Sequence, residues 1–424
     1  MSEKRNSREV EIDRLAKKLA KLVEIFRRGG KANDFKWWNS NSPRSIFYPL
    51  YGYQDGQPLF EEVVQGVLKL NPEMLSEYEV ERKLVYDFLQ TQAISWTEAE
   101  HLSNQSLVSE AKNHLNKLIE FEAWQDVDIP IANLWLGGGL VKLGKVTFME
   151  VAKEELEQWE KRALWSGRAP DFRVVARVRA PGDLQKALSY AETTVNQVLD
   201  VLRAFCFPFG RYSDTWRIGI LGDTISSTST PMRIDNRNFP TRIGASLAQI
   251  ELSKHILSKL EQPQLELINK LILKAESSRS KMERKLFDGI HWLAEAAKPD
   301  TNRAKFAKIS IALEALIGGE PRDEYLQVRG ITAMLAERAA FIVGTNKDDR
   351  LAVDKDIRIH YSKRSSVMHG TAGDVPLNEI DEFGELVRRI AIALLEKLDK
   401  LGDKISSVDK LEKWARSQRY TLAE

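Results

Sequence analysis

The chain has 424 residues, 43% of them hydrophobic and 29% charged, with 63 Lys and Arg set against 61 Asp and Glu. A formal net charge of +2 excludes a generally basic protein that coats nucleic acid, so any polyanion site must be local. A single cysteine, Cys206, excludes an intramolecular disulfide and fits a reducing compartment, and no apolar run approaches the ~20 residues of a membrane span.

The length calls for more than one domain. The opening Met1-Ser-Glu-Lys-Arg-Asn is too polar for a secretory signal, so a cytoplasmic location is expected. Residues 7–28 carry Val10, Ile12, Leu15, Leu19, Leu22, Val23 and Phe26 at helical spacing, and Gly29-Gly30 ends the helix. Residues 31–57 are irregular and aromatic, with Phe35, Trp37, Trp38, Phe47, Tyr48, Tyr51 and Tyr53. A loop whose rings plug the core is the reading adopted; a stacking platform for bases is the alternative. Helices are expected over 59–70, 73–92 and 97–122.

Gly139-Leu-Val-Lys-Leu-Gly144-Lys145 imitates a phosphate-binding loop. Val146 stands where that motif needs a hydroxyl, and Val146–Val151 alternates like a strand rather than opening a helix. A Gly-rich turn between strands is therefore expected. Phe172–Ala180 reads as a strand, broken by Pro181-Gly182. Leu184–Phe205 reads as an amphipathic helix with Leu184, Ala187, Leu188, Ala191, Val195, Val198, Leu199 and Leu202 on one side. Trp216–Leu221 is a further strand candidate and 223–242 a loop rich in Ser, Thr, Asn and Pro. Leu247, Ile250, Leu257 and Leu260 mark a helix, and Leu265–Ala275 another after Pro263.

The fold class expected is an α+β N-terminal half, residues 1–275, followed by an all-α bundle over 276–424, mainly α overall. In the bundle, helices are expected over 280–297, 303–317, 323–343 and 377–400, with a polar tail helix over 407–418. Pro299-Asp-Thr-Asn supplies a turn and cap, and Gly318-Gly319 closes the second helix.

Between the third and fourth of these helices lies Tyr361-Ser-Lys363-Arg364-Ser365-Ser-Val-Met-His369-Gly370. Arg350, Lys355, Arg358 and His360 precede it. Such a stretch offers charge for phosphate and an imidazole that moves protons near neutral pH. Arg-x4-His alone is a weak signal, since about one chance match to a loose template is expected. Arg284 and His291 form such a match, read as coincidence because His291 sits mid-helix. The six His are far apart, without Cys or paired acids at ligand spacing, so no metal and no cofactor is expected.

Residues ~280–400 resemble an Apea-like HEPN domain. Ile311-Ala-Leu-Glu314-Ala-Leu316 is similar to the family's "alEaLl", Leu335-Ala-Glu-Arg338-Ala-Ala-Phe341 to its "l..R.A.ll", and Tyr361-x-x-Arg364-Ser365-x-x-x-His369-Gly370 to its "Y..RS.ivHG". The resemblance implies an all-helical bundle, a homodimer and an endoribonuclease. Arg364 and His369 are the implied catalytic pair; Tyr361, Lys363, Ser365 and Arg358 are expected to contact RNA phosphate. Glu314 and Arg338 lie in apolar helical runs where an unpaired charge is costly, so a buried Glu314–Arg338 pair that aligns two helices is expected, with a direct catalytic role as the alternative. Arg364 and His369 have a bland alternative too, stitching helices together in a module that binds or dimerises without cutting. By association with the family, an anti-phage or toxin-like role is expected, with a phage or host trigger acting on the N-terminal domain.

Overall fold

The computed structural model describes residues 2–29, 56–89, 91–92, 104–152, 154, 172–210, 218–220, 231–234, 237–240, 250–252, 261–298, 300–319, 330–369 and 374–419. The aromatic stretch 31–57 lies outside them up to residue 55, as do 97–103, Leu247, Leu257, Leu260, Leu326 and Gly370. The chain is mainly helical with a small antiparallel sheet. Among the described residues no helix is long and apolar enough to cross a membrane.

Two compact units divide the chain: Met1–Val127 with Arg179–Ala191, and Asp128–Val178 with Glu192–Glu424. The boundary expected at residue 276 thus falls inside the second unit, which takes in the sheet as well as the C-terminal helices.

The first unit is built on helices α1 (Ser2–Gly29), α2 (Gly56–Leu70), α3 (Glu77–Arg82) and α4 (Asn104–Ile119), with a π-helical segment, Lys83–Leu89, continuing α3. Leu15, Leu19, Leu22, Val63, Val67, Leu84 and Leu115 bury together at the spacing their sequence announces. Ser76 caps α3 by accepting from the Glu79 amide at 3.2 Å.

A five-stranded sheet, most of whose residues belong to the second unit, runs in the order β3-β4-β5-β1-β6. Its strands are β1 (Trp124–Ala132), β3 (Leu140–Leu143), β4 (Val146–Glu150), β5 (Phe172–Pro181) and β6 (Gly219–Ile220). Asp128 of β1 pairs with Arg177 of the neighbouring β5 at 2.7 Å. β2 (Leu134–Trp135) pairs in parallel with β9 (Ile250–Glu251). The helix expected around Ile250 is thus wrong at that residue. β7 (Pro231–Ile234) and β8 (Arg237–Pro240) pair antiparallel within the stretch expected to be loop. α5 (Leu184–Cys206) buries Ala187, Ala191, Val195, Val198, Leu199 and Leu202, whereas Leu184 and Leu188, expected on the same face, are exposed.

Helices α6 (Gln262–Leu273), α7 (Lys281–Ala297), α8 (Asn302–Ile317), α9 (Gly330–Val343), α10 (Lys347–Ser362), α11 (Arg364–Met368), α12 (Leu377–Leu401) and α13 (Val408–Ser417) complete the unit. α7 starts in a capping box: Ser280 Oγ accepts from the Glu283 amide at 3.1 Å, and the Glu283 carboxylate accepts from the Ser280 amide at 2.6 Å. α7 and α8 pack closely because Gly289 has no Cβ; one there would overlap the Leu316 side chain. α12 lays Ile380, Phe383, Val387, Ile390 and Leu394 into the same core, with Phe383 against Phe306 of α8. On α9, Met334, Leu335 and Ala339 are buried and Ile331 is exposed.

Candidate active site

The motif is helical on both sides of one turn. Lys347–Ser362, not read as helix from sequence, forms α10. Asn346 caps it, and Asp348 and Asp349 in its first turn favour the positive end of the dipole. Lys363 breaks the run, and Arg364–Met368 continues as α11. Tyr361 therefore ends one helix, Arg364 starts the next, and His369 caps the second.

Glu314 of α8 receives both aromatic and cation. The Tyr361 hydroxyl donates to its Oε1 at 2.7 Å. Arg364 approaches side-on, with Nε 2.6 Å from Oε1 and Nη2 donating to Oε2 at 3.3 Å. The Nε contact is an ion pair rather than an aligned hydrogen bond. Nη1 takes no partner among the described residues. Burial, and then the bond to Glu314, push the Tyr361 phenol well above its ordinary range, so it stays a neutral donor. The Arg364 guanidinium also lies 5.9 Å from the centre of the Tyr361 ring.

His369 is exposed, and its amide donates to the Ser365 carbonyl at 3.0 Å. Its imidazole has no hydrogen bond or ion pair among the described residues. Ser365 is exposed beside it. His360 behaves oppositely: it is buried, stacks on Phe383 with ring centres 5.2 Å apart, and keeps a partnerless Nδ1. Burial lowers its pKa, so it remains a neutral core ring near pH 7.

The remaining expected phosphate ligands are already engaged. Lys363 Nζ lies 2.6 Å from Glu379 Oε2 of α12. Arg358 pairs with Asp354 one turn back, Nε to Oδ2 at 2.7 Å, on the exposed face of α10.

The expected Glu314–Arg338 pair does not form. Arg338 of α9 is buried and points to other partners: Nη1 donates to the Ile317 carbonyl at 2.7 Å and Nη2 to Glu412 of α13 at 3.0 Å. The carboxylate on α8 is taken instead by Tyr361 and Arg364. Arg338 supports the bundle through α13, whereas Glu314 belongs to the motif itself.

Two other sequence features resolve as structural. Gly144, with φ +59, makes the β3–β4 turn; its amide donates to Asn269 at 2.7 Å and a Cβ would overlap Ile272. That amide is spent, so the loop holds no phosphate through it. His291 Nδ1 sits 2.8 Å from Asp200, itself held by Arg203 at 2.9 Å.

Sequence reasoning missed Glu379 and Glu412. Neither carries a local signal, because each meets its cation across a long chain separation.

No protein-family model matches the chain, no curated protein matches its sequence, and no solved structure matches its fold. The Apea-like HEPN resemblance rests on the motif residues themselves.

Proposed function

We propose that the second unit is a metal-independent endoribonuclease, in the manner of an Apea-like HEPN domain, with Arg364 and His369 as its catalytic residues. One observation carries this reading. Glu314 fixes the Nε side of Arg364 and leaves Nη1 open, at one end of the short helix whose other end presents an exposed imidazole.

RNA brings its own nucleophile. The 2′-oxygen attacks the adjacent phosphorus, the bond to the 5′-oxygen breaks, and a 2′,3′-cyclic phosphate and a 5′-hydroxyl result. Negative charge grows on the non-bridging oxygens, where the free edge of Arg364 stabilises it. His369 gives a proton to the departing 5′-oxygen or takes one from the 2′-hydroxyl. One imidazole does not fill both roles in a single turnover, so a homodimer that contributes a second His369 is part of the proposal. Tyr361 serves as a positioning residue through Glu314. Ser365, Lys363 and Arg358 line the approach to RNA.

A cytoplasmic defence or growth-arrest role follows only by family association, with a phage or host trigger at the N-terminal region. A second reading, a module that binds RNA or dimerises without cutting, draws on the carboxylates that already neutralise Lys363 and Arg364.

Purified protein incubated with total RNA in EDTA, followed by end-group analysis, separates the two. Cyclic phosphate and 5′-hydroxyl ends are expected, lost in His369→Ala. Intact RNA that nonetheless binds would establish the second reading. Light scattering should give a mass near twice 48.3 kDa. In cells, overexpression should slow growth, and the His369→Ala form should not.

A further inference from the structure

The two cations of the motif are held by two carboxylates, in different ways. Glu314 is tied down by a phenol and two guanidinium nitrogens. Among the described residues Glu379 pairs with Lys363 alone, at 2.6 Å, and the side chains are 24% and 42% exposed. A single ion pair at that exposure is screened by water and exchanges readily. Glu379 also stands in the first turn of α12, where the helix dipole stabilises a carboxylate even without a cation.

Lys363 is rooted but not fixed at its tip. Its amide donates to the His360 and Tyr361 carbonyls at the end of α10, which sets the backbone beside Arg364. The four-carbon stem is free to swing its ammonium from one oxygen anion to another.

We propose that Glu379 is a placeholder for substrate phosphate: an RNA phosphate docking at Arg364 displaces Glu379 and takes over Lys363. The proposal rests on the reading of this site as one that binds RNA. Its consequence is an exchange of one anion for another at Lys363. In the resting protein that ammonium is already paired, so its transfer to phosphate breaks one ion pair as it makes another. Without Glu379 no pair has to break first, and binding tightens. The placeholder also keeps Lys363 from capturing stray polyanions, as Asp354 does for Arg358 on the preceding helix.

The test is a double-mutant cycle on the full chain, read by binding of a fluorescent 2′-O-methyl oligoribonucleotide, which cannot be cut at the 2′-position. Glu379→Gln should bind about two- to fivefold more tightly than wild type at low salt. Its plot of log affinity against log salt should keep the wild-type slope, because Lys363 meets one phosphate in both proteins, whereas loss of Lys363 should flatten the slope by about 0.7. Lys363→Ala should bind more weakly, and adding Glu379→Gln to it should change nothing. The Lys363 side chain is 42% exposed and that of Glu379 24%, and thermal melting of each variant should stay close to wild type.

Equal tightening by Glu379→Gln in the two backgrounds would show bulk repulsion and overturn the exchange; so would unchanged or weaker binding. Binding absent from every variant overturns the exchange together with the RNA reading. A cycle that behaves as expected in a protein that leaves all-ribose RNA intact would remove the nuclease and keep the exchange. Cleavage of RNA with no coupling between Lys363 and Glu379 would do the reverse.

Discussion

Arg338 and Arg364 are both arginines of the family-like motifs, both lie near α8, and both face a glutamate, yet they do opposite work. Arg338 is only 2% exposed, and its two Nη nitrogens are spent on the Ile317 carbonyl and Glu412. Burial lowers its pKa, and Glu412 opposes that shift, which leaves the charge in place at a desolvation cost. Arg364 is 34% exposed and meets its glutamate along one side, with Nη1 uncommitted among the described residues. A guanidinium whose Nη nitrogens are both spent holds helices together. One with a fixed side and a free edge has room for a second anion, and on the function proposed above the exposed His369 at the end of the same short helix would be that anion's proton donor.

The sharpest way to break the contrast is to remove the exposed set. His369→Ala should lose about 10²–10⁴-fold in cleavage rate, the usual worth of a general acid or base. Arg364→Ala should lose a similar factor, and Arg364→Lys should recover only part of it, since a point charge does not reproduce the planar fork. Neither change should move the urea midpoint much. A full-rate His369→Ala enzyme, or efficient cleavage at a 2′-deoxy position, would end the mechanism.

Arg338→Ala should do the reverse and cost about 3 kcal/mol of stability, because it strands the Ile317 carbonyl and takes one of two cations from Glu412. Arg416, 2.8 Å from Glu412, keeps that carboxylate from being left alone. Urea denaturation measures the loss. A variant of native stability would make Arg338 and Arg364 alike after all. Tyr361→Phe tests the hold of Glu314 on Arg364 at lower amplitude. It removes one hydrogen bond to Glu314, worth about 1 kcal/mol, and should slow cleavage several-fold through looser placement of Arg364.

What the sequence made legible divides along the same line. α7, α8 and α12 were readable because each writes its apolar stripe and its boundaries locally, as with Ser280 and Glu283 at the start of α7. α10 escaped notice because charge hides its stripe. Val353, Ile357 and Tyr361 nevertheless recur at helical spacing, and all three are buried. β9 and the β7–β8 pair were missed because two- and four-residue strands owe their existence to partners rather than to their own pattern. At the site, Tyr361, Arg364 and His369 could be singled out by type and spacing. Which glutamate served which arginine could not, since Glu314 lies 50 residues from Arg364 and Glu412 lies 74 from Arg338. Charge in an apolar run foretold that Glu314 and Arg338 would each be paired, and said nothing about with whom.

The smallest expected effect belongs to the decoy match, and it is the one with a sign in pH. His291 Nδ1 faces Asp200, and the other charged groups around it are Arg203, Glu295 and Lys298. The hydrogen bond to Asp200 raises the His291 pKa against the opposing effect of burial. A group whose pKa is higher in the folded state contributes its full stability below the unfolded value, about 6.5, and loses it as pH rises through the folded value. The imidazole is 54% exposed, so water screens the pair and the contribution stays below about 1 kcal/mol. Urea midpoints at about pH 5.5 and pH 8.5 should therefore differ less in His291→Gln than in wild type, with the variant losing stability mainly at the acid end. Cleavage by the variant should stay within about twofold of wild type, because an imidazole latched to Asp200 has no part in the Arg364–His369 chemistry. A loss approaching that of His369→Ala would mean that the proton-transferring histidine had been placed on the wrong helix.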